Sequence, residues 1–184
     1  MFISLNGWPG AGKLSVGLAL AELLDARLLD NHSWMNVAIA LTEFGSAAYY
    51  EAARAVRDVA FGVVLALPPE VPIIFTNVNA TGGTSGFAEE HWNAIRALAA
   101  KRKVPVISVM VDCHPDERAR RIVSPERRLA KKLRDPEVLH RMMARRSLFD
   151  DGADYRHTVD TTHISPENCA GEIAAWIRVN VALS

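Results

Sequence analysis

Residues 1–24 read MFISLNGWPGAGKLSVGLALAELL, and this stretch decides the fold of the chain. The apolar residues 2–5 predict a buried strand, and residues 13–24 predict a helix that is apolar on most sides. Between them lies a glycine-rich turn that ends in Lys13. A strand, a glycine-rich turn, a lysine and a helix in this order predict a backbone loop that closes around a phosphate group.

Glycine residues let the amide groups of such a loop turn inward around phosphate oxygens, and the positive end of the helix dipole points to the same place. Lys13 would add a mobile positive charge for the β- and γ-phosphates of ATP. The alternative is a strand-to-helix turn that binds nothing. The predicted nucleotide-binding residues are Gly7, Pro9, Gly10, Ala11, Gly12, Lys13, Leu14 and Ser15, with Arg118 from farther along the chain.

One position departs from the expected pattern. The P-loop motif continues from Gly-Lys to Ser or Thr, whereas this chain has Leu14 there and its hydroxyl one residue later, at Ser15. That hydroxyl normally binds Mg²⁺, and Ser15 is about 100° further round the helix, so we expect it to contact phosphate instead. Magnesium would then be held by phosphates, water and Asp30, or Leu14 marks a lost activity.

The rest of the chain alternates strands and helices. Strands are predicted at residues 27–30, 71–78, 104–112 and 158–160, and helices at residues 46–67, 87–100, 114–123 and from 166 onward. This alternation predicts one domain over residues 1–184, an α/β fold with a three-layer, doubly wound parallel sheet of about five strands. Ligands bind such sheets at the carboxyl ends of the strands.

Composition narrows the function further. The chain is 49% hydrophobic and 23% charged, and no apolar stretch approaches the roughly 20 residues of a membrane span. The two cysteines lie far apart and the N-terminus has no signal peptide pattern, so we expect a cytoplasmic protein. We expect it to be a monomer or a homodimer. The net charge is zero, but residues 118–146 carry eleven Lys and Arg against three acidic residues. This favours a small polyanionic ligand over a nucleic acid.

The loop at residues 7–13 makes the chain resemble the small P-loop kinases, among them shikimate kinase, gluconate kinase, chloramphenicol phosphotransferase and the nucleoside monophosphate kinases. It is similar, more narrowly, to a bacterial group labelled AAA-family or shikimate-kinase-like, on residues 29–32, 123–125 and 135–136. That group's loop reads G-K-L-[ST], which weakens the view that Leu14 marks a lost activity. The resemblance implies ATP and Mg²⁺ as cofactors, an acceptor-binding insertion at about residues 33–67, and an arginine-rich lid at about residues 118–134.

Four residues are candidates for the acceptor side. The resemblance implies that Asp30 binds the acceptor hydroxyl and serves as a base or as a partner of the metal site; the alternative is a helix N-cap. His32 would bind the acceptor, or cap and pack the helix. Arg57 would grip an anionic group, or belong to a solvated face with Arg54. Asn77 would hydrogen-bond the acceptor, or form a turn.

The lid supplies the remaining candidates. Arginines that approach the γ-phosphate as the site closes stabilise the charge that develops during phosphoryl transfer. Arg121 and Arg127 are the predicted lid catalysts, joining Lys13 and Asp30, and Arg118 lies one turn before Arg121. The alternative is that these arginines form solvated helix faces.

Together these features predict an ATP-dependent phosphotransferase for a small acceptor that carries a hydroxyl or a phosphate, such as a nucleoside monophosphate, a sugar acid, a shikimate-like acid or an antibiotic. An ATP-binding module with little turnover is the alternative. It is favoured by Leu14 and by the lack of an acid at the end of the third strand, which reads Phe75-Thr76-Asn77. A kinase that acts on nucleic acid ends, or a toxin-like kinase, is a third interpretation, and the neutral net charge argues against it.

Overall fold

A computed structural model of the chain describes residues 1–83, 85–125, 127 and 132–182. Its sheet has five parallel strands in the order β2-β3-β1-β4-β5. The strands are β1 (Phe2–Asn6), β2 (Arg27–Asp30), β3 (Ile73–Asn77), β4 (Val106–Asp112) and β5 (Tyr155–Asp160). The helices of the described ranges are α1 (Lys13–Leu24), α2 (Asn31–Leu41), α3 (Ala47–Ala66), α4 (Phe87–Arg102), α5 (Pro115–Ile122), α6 (Pro136–Arg145) and α7 (Pro166–Asn180).

Helices cover both faces of the sheet. Successive residues of a strand point to opposite faces, so Ile3 of β1 packs into the core beneath α1 and α7, and Phe2 packs into the core beneath α3 and α4. Ile173 of α7 and Trp92 of α4 are buried on these two sides. The predicted three-layer α/β fold with a five-stranded parallel sheet is therefore confirmed.

Two helices and part of one strand were not predicted. Helix α2 has a weak apolar pattern of its own and is fixed by packing, because Trp34 and Ala38 are buried against Tyr49 and Ala53 of α3. Helix α6 begins with a capping sequence: Asp135 accepts hydrogen bonds from the second and third helical amides, and proline follows it.

Strand β5 is three residues longer than predicted. It lies at the edge of the sheet, where alternate side chains face solvent, and these are polar. The apolar pattern therefore covers only its last residues. Within the described ranges, no helix combines the length and the apolarity needed to cross a bilayer.

Gly7 shows why the turn after β1 needs glycine. A Cβ atom built on Gly7 would lie 2.2 Å from the backbone oxygen of Val111 in β4. We expect Gly7→Ala to lower the free energy of unfolding by about 1–3 kcal/mol, because two backbones have to move apart. Chemical denaturation of the variant and the wild type measures this difference.

Gly62→Ala is the matched control. Gly62 lies on α3, and a Cβ atom built there meets nothing within 4 Å. Alanine favours a helix interior over glycine by up to about 1 kcal/mol, so this variant should be as stable as the wild type or more so. Equal stability of the two variants would refute the close approach of Gly7 to β4.

Candidate active site

A cavity of about 890 Å³ lies at the carboxyl end of the sheet, within the size range of small-molecule sites. The loop between β1 and α1 forms one end of this cavity, and α2, α3 and the start of α4 form the other. The segment between α5 and α6 lines it as well. The predicted residues that line it are Pro9, Gly10, Gly12, Lys13, Leu14, Ser15, Asp30, His32, Asn77, Arg121 and Arg127.

The glycine loop has a backbone that suits a phosphate group. Gly10 and Gly12 both have φ near +92°, a conformation that other residues rarely adopt. The first turn of α1 follows directly, and the amide groups of a first helical turn have no partner within the helix. Gly7 and Ala11 are buried behind the loop and do not line the cavity.

The side chain of Lys13 lies across this loop. Its Nζ donates hydrogen bonds to the backbone oxygens of Gly7, at 2.6 Å, and Trp8, at 3.0 Å. Burial is the main cause that lowers the pKa of Lys13 to about 7, with contributions from the nearby charges of Lys132 and Arg127 and against the opposing effect of Asp30. Several positive charges therefore lie close together at this end of the cavity, and a bound anion would reduce the repulsion between them.

Asp30 both caps a helix and faces the cavity. Its Oδ2 accepts a hydrogen bond from the amide of His32, at 3.3 Å, which caps α2. Its Oδ1 accepts a hydrogen bond from the hydroxyl of Thr76, at 2.6 Å. Nζ of Lys132 lies 3.7 Å from Oδ2, and both side chains are largely buried. The two interpretations of Asp30 made from the sequence are therefore compatible.

Arg121 lines the phosphate end of the cavity and is held in place by three hydrogen bonds. Its Nε donates to Glu117 at 2.6 Å, and its two terminal nitrogens donate to the hydroxyl and the backbone oxygen of Thr161, at 2.8 and 2.7 Å. A Cβ atom built on Gly12 would lie 3.5 Å from Nη1 of Arg121. Arg121 thus lies beside the loop with its guanidinium already oriented.

The other predicted lid arginines lie in different places. Arg127 lines the cavity, with its Nε donating to the backbone oxygen of Leu133 at 2.9 Å. Arg118 does not line the cavity: it is buried behind the loop, paired with Asp112 and packed against Gly10. The prediction that Arg118 contacts the nucleotide is therefore replaced by a role in supporting the loop. Arg128 and Lys131 of the predicted lid lie outside the described residues.

Of the remaining acceptor candidates, two line the cavity and one does not. His32 lines the cavity with Nδ1 3.3 Å from Oδ1 of Asn36, and burial lowers its pKa. Asn77 lines the cavity with its Oδ1 3.0 Å from Nε2 of His91. Arg57 is not among the lining residues.

The position of Arg57 differs from both interpretations made from the sequence. Its side chain is only 6% exposed, so it is not on a solvated face, and its guanidinium donates to Glu90 at 3.0 Å and to Asp58 at 2.9 Å. The guanidinium of Arg54 pairs with the same Glu90, at 2.7 Å. The structure therefore does not bring Arg57 to the acceptor, because a carboxylate of the protein already occupies it.

Three residues of the site were not predicted. The Thr161 hydroxyl donates to the backbone oxygen of Ala11 at 2.9 Å and joins the end of β5 to the loop. The rule that ligands bind at the carboxyl ends of strands could have found it. Lys132 was one of many lid cations, and nothing in its spacing marked it. His91 is buried on α4 next to Trp92, and the apolar pattern of that helix gives no sign that a histidine lines the cavity.

The described residues that line the cavity offer few ligands for magnesium. Among the described lining residues, Asp30 is the one carboxylate. The described residues hold no group of three or more carboxylate, histidine or cysteine side chains that could bind a metal. Leu14 lines the cavity with a side chain that cannot bind an ion.

Several solved structures share the fold at low sequence identity. A candidate kinase from Chloroflexus aurantiacus has a TM-score of 0.70 at 18% identity over 98% of both chains. The APS kinase CysC of Mycobacterium tuberculosis, in complex with AMPPNP and APS, has a TM-score of 0.62 at 19% identity over 96% of both chains. Shikimate kinase from Acinetobacter baumannii, in complex with shikimate, has a TM-score of 0.56 at 20% identity over 99% of this chain and 95% of that chain.

These likenesses extend over nearly the whole chain, and they show that it has the fold of the P-loop kinases. No protein-family profile matches the sequence, and no curated protein matches it.

Proposed function

We propose that this protein is an ATP-dependent phosphotransferase that moves the γ-phosphoryl group to a hydroxyl group of a small acceptor. The observation that carries the proposal is that Lys13, the glycine loop and Asp30 line one cavity, with Asp30 near enough to Lys13 to affect its pKa. The kinases that share the fold bind a nucleotide and a small molecule, as the AMPPNP, APS and shikimate complexes indicate.

In this proposal each side chain has a separate task. The loop amides and Lys13 bind the phosphates, and Arg121 and Arg127, which line the same cavity, stabilise the charge that develops on the γ-phosphoryl oxygens. The acceptor oxygen forms a bond to the γ-phosphorus as the bond from that phosphorus to the bridging oxygen of ADP breaks. Asp30 orients the acceptor hydroxyl and accepts its proton. The residues present suit magnesium only as an ion carried in by the phosphates of the nucleotide.

Nucleotide binding should take up a proton. With its pKa at about 7, Lys13 is mostly neutral at pH 8 in the free protein, and a bound phosphate raises that pKa because it favours the charged form. The affinity for ATP should therefore fall as the pH rises above about 7. Calorimetric titration of ATP at pH 8, in buffers of different ionisation enthalpy, measures the uptake, which should approach one proton.

Lys13→Met is the control for this titration, because methionine has similar length and no titrating group. Residual binding by this variant should occur with no uptake above pH 7. Equal uptake by the variant and the wild type would show that another group takes up the proton.

A coupled assay for ADP release tests the proposed activity. ATP is supplied together with panels of sugar acids, cyclic polyols, nucleosides, nucleoside monophosphates and aromatic alcohols. We expect at least one class to raise ADP release well above the rate without acceptor. If ATP binds and no class raises that rate, the phosphotransferase proposal fails.

An ATP-binding module with little turnover is the second candidate. It is favoured by Leu14 and by the end of β3, where Thr76 and Asn77 stand in place of an acid. Such a module would bind ATP through the same loop and respond to it by a change of conformation. The coupled assay separates the two candidates, because this one predicts ATP binding with no response to any acceptor.

A further inference from the structure

The end of the cavity away from the glycine loop is lined by aromatic side chains. We define the aromatic end by six lining residues, Trp34, Phe44, Tyr49, Tyr50, Phe87 and His91. The rings form a continuous series, with centroids 4.9 Å apart for Phe44 and Tyr49, 5.1 Å for Tyr49 and Tyr50, and 5.4 Å for Tyr50 and Phe87. Such walls suit a ligand with an apolar or aromatic body.

The polar atoms at this end carry no charge. Burial raises the pKa of Tyr49 to about 12 and lowers the pKa of His91 to about 3, so both side chains are neutral at any working pH. Oη of Tyr49 and Nδ1 of His91 are buried and have no hydrogen-bond partner among the described residues.

The two arginines nearest to the aromatic end are already paired. The guanidinium carbons of Arg54 and Arg57 lie 5.6 and 5.8 Å from the ring centroid of Phe87, and neither residue lines the cavity. Both guanidinium groups bind the carboxylate of Glu90. Asp58 also pairs with Arg57, so the two carboxylates together balance the charge of the two arginines.

The cations that do line the cavity lie elsewhere. Four of them surround the loop and Asp30, namely Lys13, Arg121, Arg127 and Lys132. Arg146 is an exposed residue beside Gly83. Among the described residues, Arg54 and Arg57 are the cations that stack on a ring of the aromatic end, and both are paired.

We propose that the acceptor is an uncharged alcohol or phenol with an aromatic or apolar body, and that the site discriminates against carboxylated and phosphorylated acceptors. An anion at the aromatic end would be buried among neutral rings, where the stacked arginines of the described ranges are already paired with carboxylates, and this is unfavourable. The inference rests on the proposed function, because it names the acceptor of the same transfer. The acceptor hydroxyl gives its proton to Asp30 and its oxygen to the γ-phosphorus, and ADP leaves.

Matched pairs of small molecules test this inference. N-acetyltyrosine amide is the neutral partner of N-acetyltyrosine, and methyl shikimate is the neutral partner of shikimate. Each is titrated calorimetrically into the full chain after saturation with AMPPNP. We expect the neutral member to bind at least tenfold tighter in the tyrosine pair, and tighter than its anionic partner in the shikimate pair.

Glu90→Gln is the variant that checks the cause of the selectivity. It removes the carboxylate that Arg54 and Arg57 share and leaves Arg57 paired with Asp58, so one unbalanced positive charge remains beside Phe87 and the affinity for N-acetyltyrosine should rise about three- to tenfold. Asp25→Asn, at the far end of α1 from the loop, is the matched control. It should leave the affinities for N-acetyltyrosine and for its amide unchanged.

The outcomes separate this inference from the proposed function. Absence of AMPPNP binding would defeat the proposed function itself. AMPPNP binding together with equal or tighter binding of the anionic members, or with no binding of any neutral member, would overturn the inference and leave phosphoryl transfer to another acceptor class open to the coupled assay.

Discussion

Lys13→Ala should weaken ATP binding strongly and slow phosphoryl transfer further. The ammonium group of Lys13 is the one cation of the chain that hydrogen-bonds to the glycine loop within the described residues. A hydrogen bond to a charged group contributes about 1.5–3 kcal/mol, which corresponds to a loss of roughly ten- to 150-fold in affinity. Loss of a preorganised donor to the reacting phosphoryl group costs a further factor of about 10²–10³ in kcat. Calorimetric titration and the coupled assay measure the two effects.

Lys103→Ala is the matched control for this variant. Lys103 follows α4 and is exposed, so its removal should leave ATP affinity and turnover unchanged. Because Lys103 has φ of +57°, a glycine variant at the same position controls for any loss of stability. Unchanged ATP affinity in Lys13→Ala would refute the assignment of the loop as the nucleotide site.

Asp30→Asn should retain ATP binding and lose phosphoryl transfer. Asparagine caps a helix as well as aspartate does, so α2 should keep its first turn. An amide, however, cannot accept the proton of an acceptor hydroxyl. General base catalysis contributes about 10²–10⁴ to the rate, so kcat should fall by a factor of this size while ATP affinity changes only a few-fold.

Asp25→Asn controls for this change. Its carboxylate lies at the other end of α1, about 18 Å from Lys13 by the rise of the helix. Thermal unfolding of Asp30→Asn and Asp25→Asn shows whether the loss of activity has a structural cause. Full activity of Asp30→Asn would remove Asp30 from the mechanism, and lost ATP affinity would assign it to the nucleotide instead.

The sheet could be predicted from the sequence because its interior strands are buried on both faces. The near-continuous apolar runs of β1 and β4 reflect that burial directly. Edge strand β5 and helix α2 were harder to predict, because their positions depend on partners that are distant in the sequence. Trp34, for example, is an ordinary apolar residue in its own helix and gains its position from Tyr49 of α3.

The site could be predicted best where a fixed spacing or the end of a strand marks a residue. The loop glycines and Lys13 follow from a fixed spacing, and Asp30 follows from the end of a strand. Arginine roles could not be predicted, because the sequence does not show which carboxylate each guanidinium meets. Arg57 meets Glu90, 33 positions away, and Arg118 meets Asp112. Both were assigned to ligands and are instead paired within the protein.

The most direct test of the account is to follow the phosphoryl group itself. The protein is incubated with ATP radiolabelled on its γ-phosphate and a mixture of small neutral alcohols and metabolites, and the products are separated by chromatography. We predict a labelled organic phosphate with the wild type and none with Lys13→Ala. A wild-type protein that binds AMPPNP but leaves the label in ATP, or releases it only as inorganic phosphate, would contradict the account.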